Sequence, residues 1–212
     1  ADDVAYVGIE PNEAMLERAV RRAREEGRVL DLRPIDVQSM PFPDASFDAV
    51  LCRLGLMYMP HPLTALGEWR RVLRPGGRVA VVVFSTPARN DWGAIPASII
   101  RRRAGLEPPG PGQPGPFSLG ARGALEDLLR QAGFERPEVH AVPVPLRMRD
   151  ASEYIRLARE AFGAFNAMMA HLPLRERESV WNEVESAMRG FESANGFEVQ
   201  GECFVGAAAK PS

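Results

Sequence analysis

Glu10 stands between an apolar run, Val4 to Ile9, and a segment carrying helix-start signals, Glu10-Pro11-Asn12. A carboxylate at the end of a strand and the start of a helix can accept hydrogen bonds from both hydroxyls of a ribose, because ligands of open α/β sheets lie beyond the carboxyl ends of the strands. The plainer alternative is an acid that only favours its own helix dipole. Asp36 ends the next strand-like run, in Ile35-Asp36-Val37-Gln38-Ser39-Met40-Pro41-Phe42. There a carboxylate can accept the exocyclic amino group of adenine while the backbone N–H of Val37 reaches a ring nitrogen, so the pair would read a base edge. Its alternative is a turn aspartate bonded to its own backbone. Tyr58 and His61, just after a third strand-like run, can orient or deprotonate a substrate hydroxyl, against core packing or simple exposure. His140 and His171 lie apart, without ligand-like companions, so no metal is expected.

These residues need elements to hold them. Val4 to Ile9 is apolar without alternation, which suits a strand covered on both faces. Met15, Leu16, Ala19, Val20 and Ala23 follow at helical spacing until Gly27. Val29 to Asp36 reads as a second strand and Phe47 to Cys52 as a third. Pro62 to Leu73 reads as a helix ended by Pro75-Gly76-Gly77, and Arg78 to Phe84 as a further strand. Alternating strands and helices argue for a parallel sheet with right-handed crossovers. The run Pro108 to Pro116 can build neither helix nor interior strand and is expected as a surface loop or flap. Ser118 is placed to cap a helix carrying Leu125, Leu128 and Leu129, followed by a strand from Pro137 to Pro145. Asp150-Ala-Ser-Glu153 matches a capping box before a helix rich in Phe162, Phe165, Met168 and Met169. A second helix puts Val180, Val184, Ala187, Met188 and Phe191 on one stripe, and Asn195-Gly196 turns into a last strand, Phe197 to Ala208.

The chain has 212 residues, 45% hydrophobic and 25% charged, ordinary for a globular protein with one sizeable core. A formal net charge of -2 from intermixed charges gives no reason to expect nucleic acid or an anionic membrane as partner. A small, roughly neutral substrate fits better. Cys52 and Cys203 show neither metal-site spacing nor a disulfide framework, which suits a reducing compartment. No stretch approaches a membrane span and no secretion signal opens the chain, so a cytoplasmic location is expected.

The order Ile9-Glu10-Pro11 with Met15-Leu16, then Asp36 with Met40-Pro41-Phe42-Pro43-Asp44 and Ser46-Phe47-Asp48, then Arg71-Val72-Leu73-Arg74-Pro75-Gly76-Gly77, resembles class I S-adenosylmethionine-dependent methyltransferases, especially those similar to ubiquinone and menaquinone biosynthesis enzymes. The resemblance covers residues 4 to about 85. It implies a doubly wound, Rossmann-like, mostly parallel α/β sheet with a helical insertion before the last strand. The cofactor-binding core would occupy 1–149, substrate-recognition helices 150–195, and the returning strand 196–212. Glu10 would bind the ribose of S-adenosylmethionine, Asp36 and Val37 its adenine, and Arg53 with Leu54 would lie beside its methionine end. Leu73-Arg74-Pro75-Gly76-Gly77 would be a structural turn. The family's first strand, its helix and a glycine-rich loop are missing before Glu10, so the fold is expected to be incomplete at its N-terminus: either the full protein carries that strand ahead of this sequence, the favoured expectation, or another segment or chain fills the gap.

The expected activity is methyl transfer to an oxygen, carbon or nitrogen of a small, apolar molecule, with a homodimer as a possible assembly. In-line methyl transfer needs orientation and desolvation more than a conspicuous catalytic group. A non-catalytic binding or scaffold protein of the same ancestry, and a nicotinamide-dependent oxidoreductase, are the alternatives. The latter explains Glu10 but neither Asp36 nor Arg74-Pro75-Gly76-Gly77.

Overall fold

The structure is a computed structural model that describes residues 5–110 and 112–212, so Val4 and Pro111 lie outside the described residues. In chain order the elements are β1 (Val7–Ile9), α1 (Glu13–Glu25), β2 (Asp31–Arg33), β3 (Phe47–Arg53), α2 (Pro62–Val72), β4 (Leu73–Phe84), α3 (Asp91–Ala104) and α4 (Ala124–Gln131). There follow β5 (Glu135–Pro143), β6 (Leu146–Met148), α5 (Ala151–Ala161), α6 (Gly163–Met168), α7 (Leu174–Met188), β7 (Glu192–Ser193), β8 (Gly196–Val199) and β9 (Glu202–Ala209). The strands form a parallel pair β1-β2, a four-stranded sheet β3-β4-β9-β5 and a three-stranded sheet β6-β8-β7. In the four-stranded sheet β3 and β4 run parallel, and β9 is antiparallel to both β4 and β5. Three of its strands therefore point one way, as a doubly wound sheet requires.

The apolar patterns explain the layers. Val79, Val81 and Val83 of β4 are buried on one face, against Leu66, Trp69 and Val72 of α2 and Leu125 and Leu129 of α4. Each such side chain removed from water contributes about 1.5–3 kcal/mol. A second core joins α3, α5, α6, α7 and β8 through Ile100, Tyr154, Trp181, Val184, Met188 and Phe197. Phe84, at the carboxyl end of β4, packs against both.

Asn12 caps α1 by accepting the Met15 N–H at 3.0 Å, and Gly27, at φ 67°, ends the segment. Asp150 caps α5 by accepting the Glu153 N–H at 2.8 Å. The turn before β4 is more compact than a simple helix stop. β4 starts at Leu73, and its pairing with β3 jumps from Phe47↔Leu73 to Ala49↔Arg78, so residues 74 to 77 bulge out. Gly76 takes φ 73°, and a Cβ on Gly77 would sit 2.8 Å from the Arg74 carbonyl oxygen and 3.1 Å from that of Asp48. Only glycine fits there.

Three elements depart from the sequence expectation. Ser118 caps no helix: α4 begins at Ala124 behind Gly123, at φ 83°, and the Ser118 hydroxyl donates to the Met57 carbonyl at 2.7 Å. The helix expected to carry Phe162 to Met169 breaks at Phe162, whose N–H still donates to the Ala158 carbonyl, before the short α6. The expected last strand is two strands in two sheets. Its corner is Gly201, where a Cβ would lie 2.6 Å from the Val144 carbonyl oxygen, while the Val144 N–H donates to the Gly201 carbonyl at 2.8 Å.

Candidate functional site

β1 and β2 pair in register through Ile9↔Arg33, and the Glu10 N–H continues the ladder to the Arg33 carbonyl at 3.1 Å. Glu10 and Asp36 therefore emerge at the same, carboxyl, end of neighbouring parallel strands. Each carboxylate is held by its own turn. Glu10 Oε1 accepts the Asn12 N–H at 2.9 Å, and Asp36 Oδ1 accepts the Gln38 N–H at 2.9 Å. The turn-aspartate alternative is thus realised by one oxygen. Glu10 Oε2, Asp36 Oδ2 and the Val37 N–H have no hydrogen-bond partner among the described residues. A carboxylate fixed by one oxygen and open at the other is already oriented for a donor pair such as vicinal hydroxyls or an amino group.

Arg53 ends β3 at the carboxyl end of the four-stranded sheet, and Leu54 follows at φ 58°. For a residue with a Cβ this left-handed conformation costs about 1–2 kcal/mol, and such positions gather at ligand sites. The Leu54 N–H donates to the Val82 carbonyl at 2.8 Å, which holds the strained turn on β4. Cys52 lies beneath this turn, its thiol pushed up by burial. Leu54, Ile9 and Val37 all pack on the first core. The two strand-end groups nevertheless belong to separate sheets with no ladder between them among the described residues. Tyr58 is 49% exposed, and partial burial raises its phenol above the ordinary value, so it suits a hydrogen-bond donor better than a base. His61 is exposed and precedes α2 without capping it through its side chain.

Sequence reasoning passed over the group that fastens the loop after Asp36. Arg71 on α2 donates to Glu68 Oε1 and Oε2 at 2.7 and 2.8 Å, to the Phe42 and Met40 carbonyls at 2.7 and 2.9 Å, and to Asp44 Oδ1 at 2.8 Å. Glu68 Oε2 accepts the Met40 N–H at 2.9 Å. The Arg71 hydrogen bond holds Glu68 below the usual carboxylate range. Its trace in the sequence was a Glu and an Arg three apart on a helix, a pattern usual on solvated faces.

Beyond β4, Phe84, Trp92, Phe117 and Phe162 form an aromatic group, with Trp92 4.7 Å from Phe84 and 5.2 Å from Phe162 between ring centroids. Buried Asn90 accepts the Trp92 Nε1–H at 3.0 Å and the Glu202 N–H at 3.0 Å, and donates to the Thr86 carbonyl at 3.0 Å. Phe84, Phe117 and Phe162 are half-buried, whereas Met169 is 1% exposed and belongs to the second core, so it lines nothing.

The family model described as "Methyltransferase domain" matches residues 2–81. The ubiquinone/menaquinone biosynthesis C-methyltransferase of Bordetella avium is 42% identical over 86 residues, which are 38% of this chain and 34% of that protein. The match thus spans about a third of that relative's length. Among solved structures, the YcgJ protein of Bacillus subtilis matches with a TM-score of 0.59 at 17% identity, covering 98% of this chain and 83% of its own. Haemonchus contortus phosphoethanolamine N-methyltransferase 2, solved with S-adenosylhomocysteine, matches with a TM-score of 0.53 at 16% identity, covering 97% and 44%. The chain resembles class I methyltransferases in its first 81 residues, and its α/β fold is theirs.

Proposed function

We propose that this chain binds S-adenosylmethionine at the carboxyl ends of β1, β2 and β3 and serves methyl transfer to a small, apolar molecule. One observation carries the reading: Glu10 and Asp36 each keep one oxygen open at neighbouring strand ends, beside an open Val37 N–H. These groups match the hydroxyls of a ribose and the edge of an adenine. Strained Leu54 and exposed Arg53 lie at the carboxyl end of β3, the proposed place of the methionine moiety. The cofactor supplies an electrophilic methyl on a sulfonium, and the protein's part is to orient an acceptor in line and keep water away.

The half-buried rings of Phe84, Phe117 and Phe162 at the end of β4 favour an apolar acceptor. Tyr58, protonated at neutral pH because burial raises its phenol, would donate a hydrogen bond to that acceptor; His61 is the candidate to take a proton. Whether the accepting atom is oxygen, carbon or nitrogen is set by substrates that fit this wall. Among the described residues no helix is long and apolar enough to cross a membrane; a cytoplasmic location remains part of the proposal.

A second reading, binding without turnover, is favoured by the division of the sheet into β1-β2 and β3-β4-β9-β5. Calorimetry with S-adenosylhomocysteine tests the site. Glu10→Ala is expected to weaken binding by about 1–3 kcal/mol, the range for losing a charged acceptor. Unchanged affinity refutes the ribose role, and binding without transfer of a labelled methyl group supports the second reading.

A further inference from the structure

Asp36 and Val37 lie in a stretch without regular structure, between the end of β2 at Arg33 and the start of β3 at Phe47. Their own turn fixes the local shape of this stretch but not its position on the protein. Met40 is buried and Phe42 packs on Phe47, yet apolar contact does not define orientation as hydrogen bonds do. The fork of Arg71 does. A guanidinium has five N–H groups, and here they reach five acceptors: two oxygens of Glu68, two loop carbonyls and Asp44. Glu68 returns one bond to the loop through the Met40 N–H. Among the described residues, every hydrogen bond from residues 5–44 to residues beyond 46 passes through Glu68 or Arg71. Among the described residues β1 and β2, beyond whose ends Glu10 and Asp36 lie, have no ladder to the sheet that ends at Arg53. The loop is also tied at its far end by the Ala45 and Ser46 N–H groups, which donate to the Arg71 and Val72 carbonyls at 3.0 and 2.8 Å, so the side-chain part of its alignment rests on Arg71 and Glu68 of α2.

We propose that Arg71 and Glu68 are positioning residues that set where Asp36 and Val37 meet the base, and so determine the preference for adenine. The inference rests on the cofactor reading above. A lysine at position 71 keeps the charge but offers a single point with three donors, and cannot reach two carbonyls and two carboxylates at once.

The test compares S-adenosylhomocysteine with its hypoxanthine analogue, in which a carbonyl oxygen replaces the amino group, by calorimetry on the full chain. Wild type is expected to prefer the adenine form by about tenfold or more, the scale of a lost charged hydrogen bond. Arg71→Lys is expected to reduce that preference to about twofold while the hypoxanthine form binds nearly as before. Hydrogen exchange should quicken at amides 37–44 and stay unchanged at amides 78–84, which separates a shifted loop from a loosened fold. Glu68→Gln, which leaves the two carbonyl bonds of Arg71 in place, should give an intermediate preference and replaces Arg71→Lys if that variant does not fold. A folded variant with undiminished preference overturns the proposal. A wild type that binds neither ligand overturns the cofactor reading itself, and this inference with it.

Discussion

Replacing Tyr154 by phenylalanine removes one oxygen from the interior and strands one carbonyl. The carbonyl of Trp92 sits four residues before Pro96 inside α3, where the partner N–H of a regular helix does not exist. The Tyr154 hydroxyl, on α5, donates to that carbonyl instead. Tyr154 is fully buried and stacked 5.5 Å from Phe197, so water cannot take over the bond. An unsatisfied buried carbonyl costs about 1–3 kcal/mol, which for a chain of this size lowers Tm by roughly 2–4 °C per kcal/mol. The structure also predicts a coupling. Pro96→Ala supplies an N–H at position 96 that can close the helical bond to Trp92, so the carbonyl then has two possible donors. In that background Tyr154→Phe should cost about 1 kcal/mol less than in the wild type. The four proteins are compared by urea unfolding. Burial holds the Tyr154 phenol far above its ordinary value, so the coupling should be the same at pH 6 and pH 8. If Tyr154→Phe costs the same in both backgrounds to within about 0.4 kcal/mol, the residues are independent and the reasoning fails.

Two further outcomes are expected. Gly77→Ala puts a Cβ 2.8 Å from the Arg74 carbonyl oxygen, a backbone atom that cannot step aside, and should destabilise by about 1–3 kcal/mol; thermal unfolding with no loss of Tm would show that the bulge relaxes freely. Glu68 is held below its ordinary 4.5 by the Arg71 hydrogen bond, so its contribution to stability is complete above that value and drains away as pH falls through the depressed one. Urea midpoints of wild type and Glu68→Gln should therefore be farthest apart at neutral pH and converge as pH falls through the depressed value; a gap that widens on acidification contradicts the ion pair.

What could be seen in advance divides along physical lines. Parallel strands covered on both faces announce themselves as unbroken apolar runs, and the core of β4 was visible in Val79, Val81, Val82 and Val83. Asn12 and Asp150 cap helices because a side-chain oxygen finds an N–H three residues on, which a local pattern predicts. Ser118 looked equally suitable, but its hydroxyl is taken by the Met57 carbonyl, a partner distant in sequence. The corner at Gly201 was hidden for the same reason. Alternation runs through β8 and β9 alike, and only the nearness of Val144 shows that the chain changes sheets there.

The candidate site shows the same division inside one loop. Asp36 stood out as a candidate because its signal is local: an acid just past a strand end, with its backbone amide neighbours. Arg71 did not, because an arginine in a helix next to a charged residue three positions away is what any solvated helix face offers. Its role depends on two carbonyls 31 and 29 positions earlier, those of Met40 and Phe42, and carbonyls leave no mark in a sequence. Residues proposed to face a ligand are therefore easier to find than residues proposed to aim them. Among the described residues the two halves of the proposed site share no strand pairing, so more of this alignment falls to side chains such as Arg71 and Glu68. Where a continuous ladder joins such halves, the backbone carries that alignment, and replacing a single arginine should then leave base preference unchanged. The hypoxanthine comparison with Arg71→Lys thus measures how much of the crevice is held by side chains rather than by the sheet.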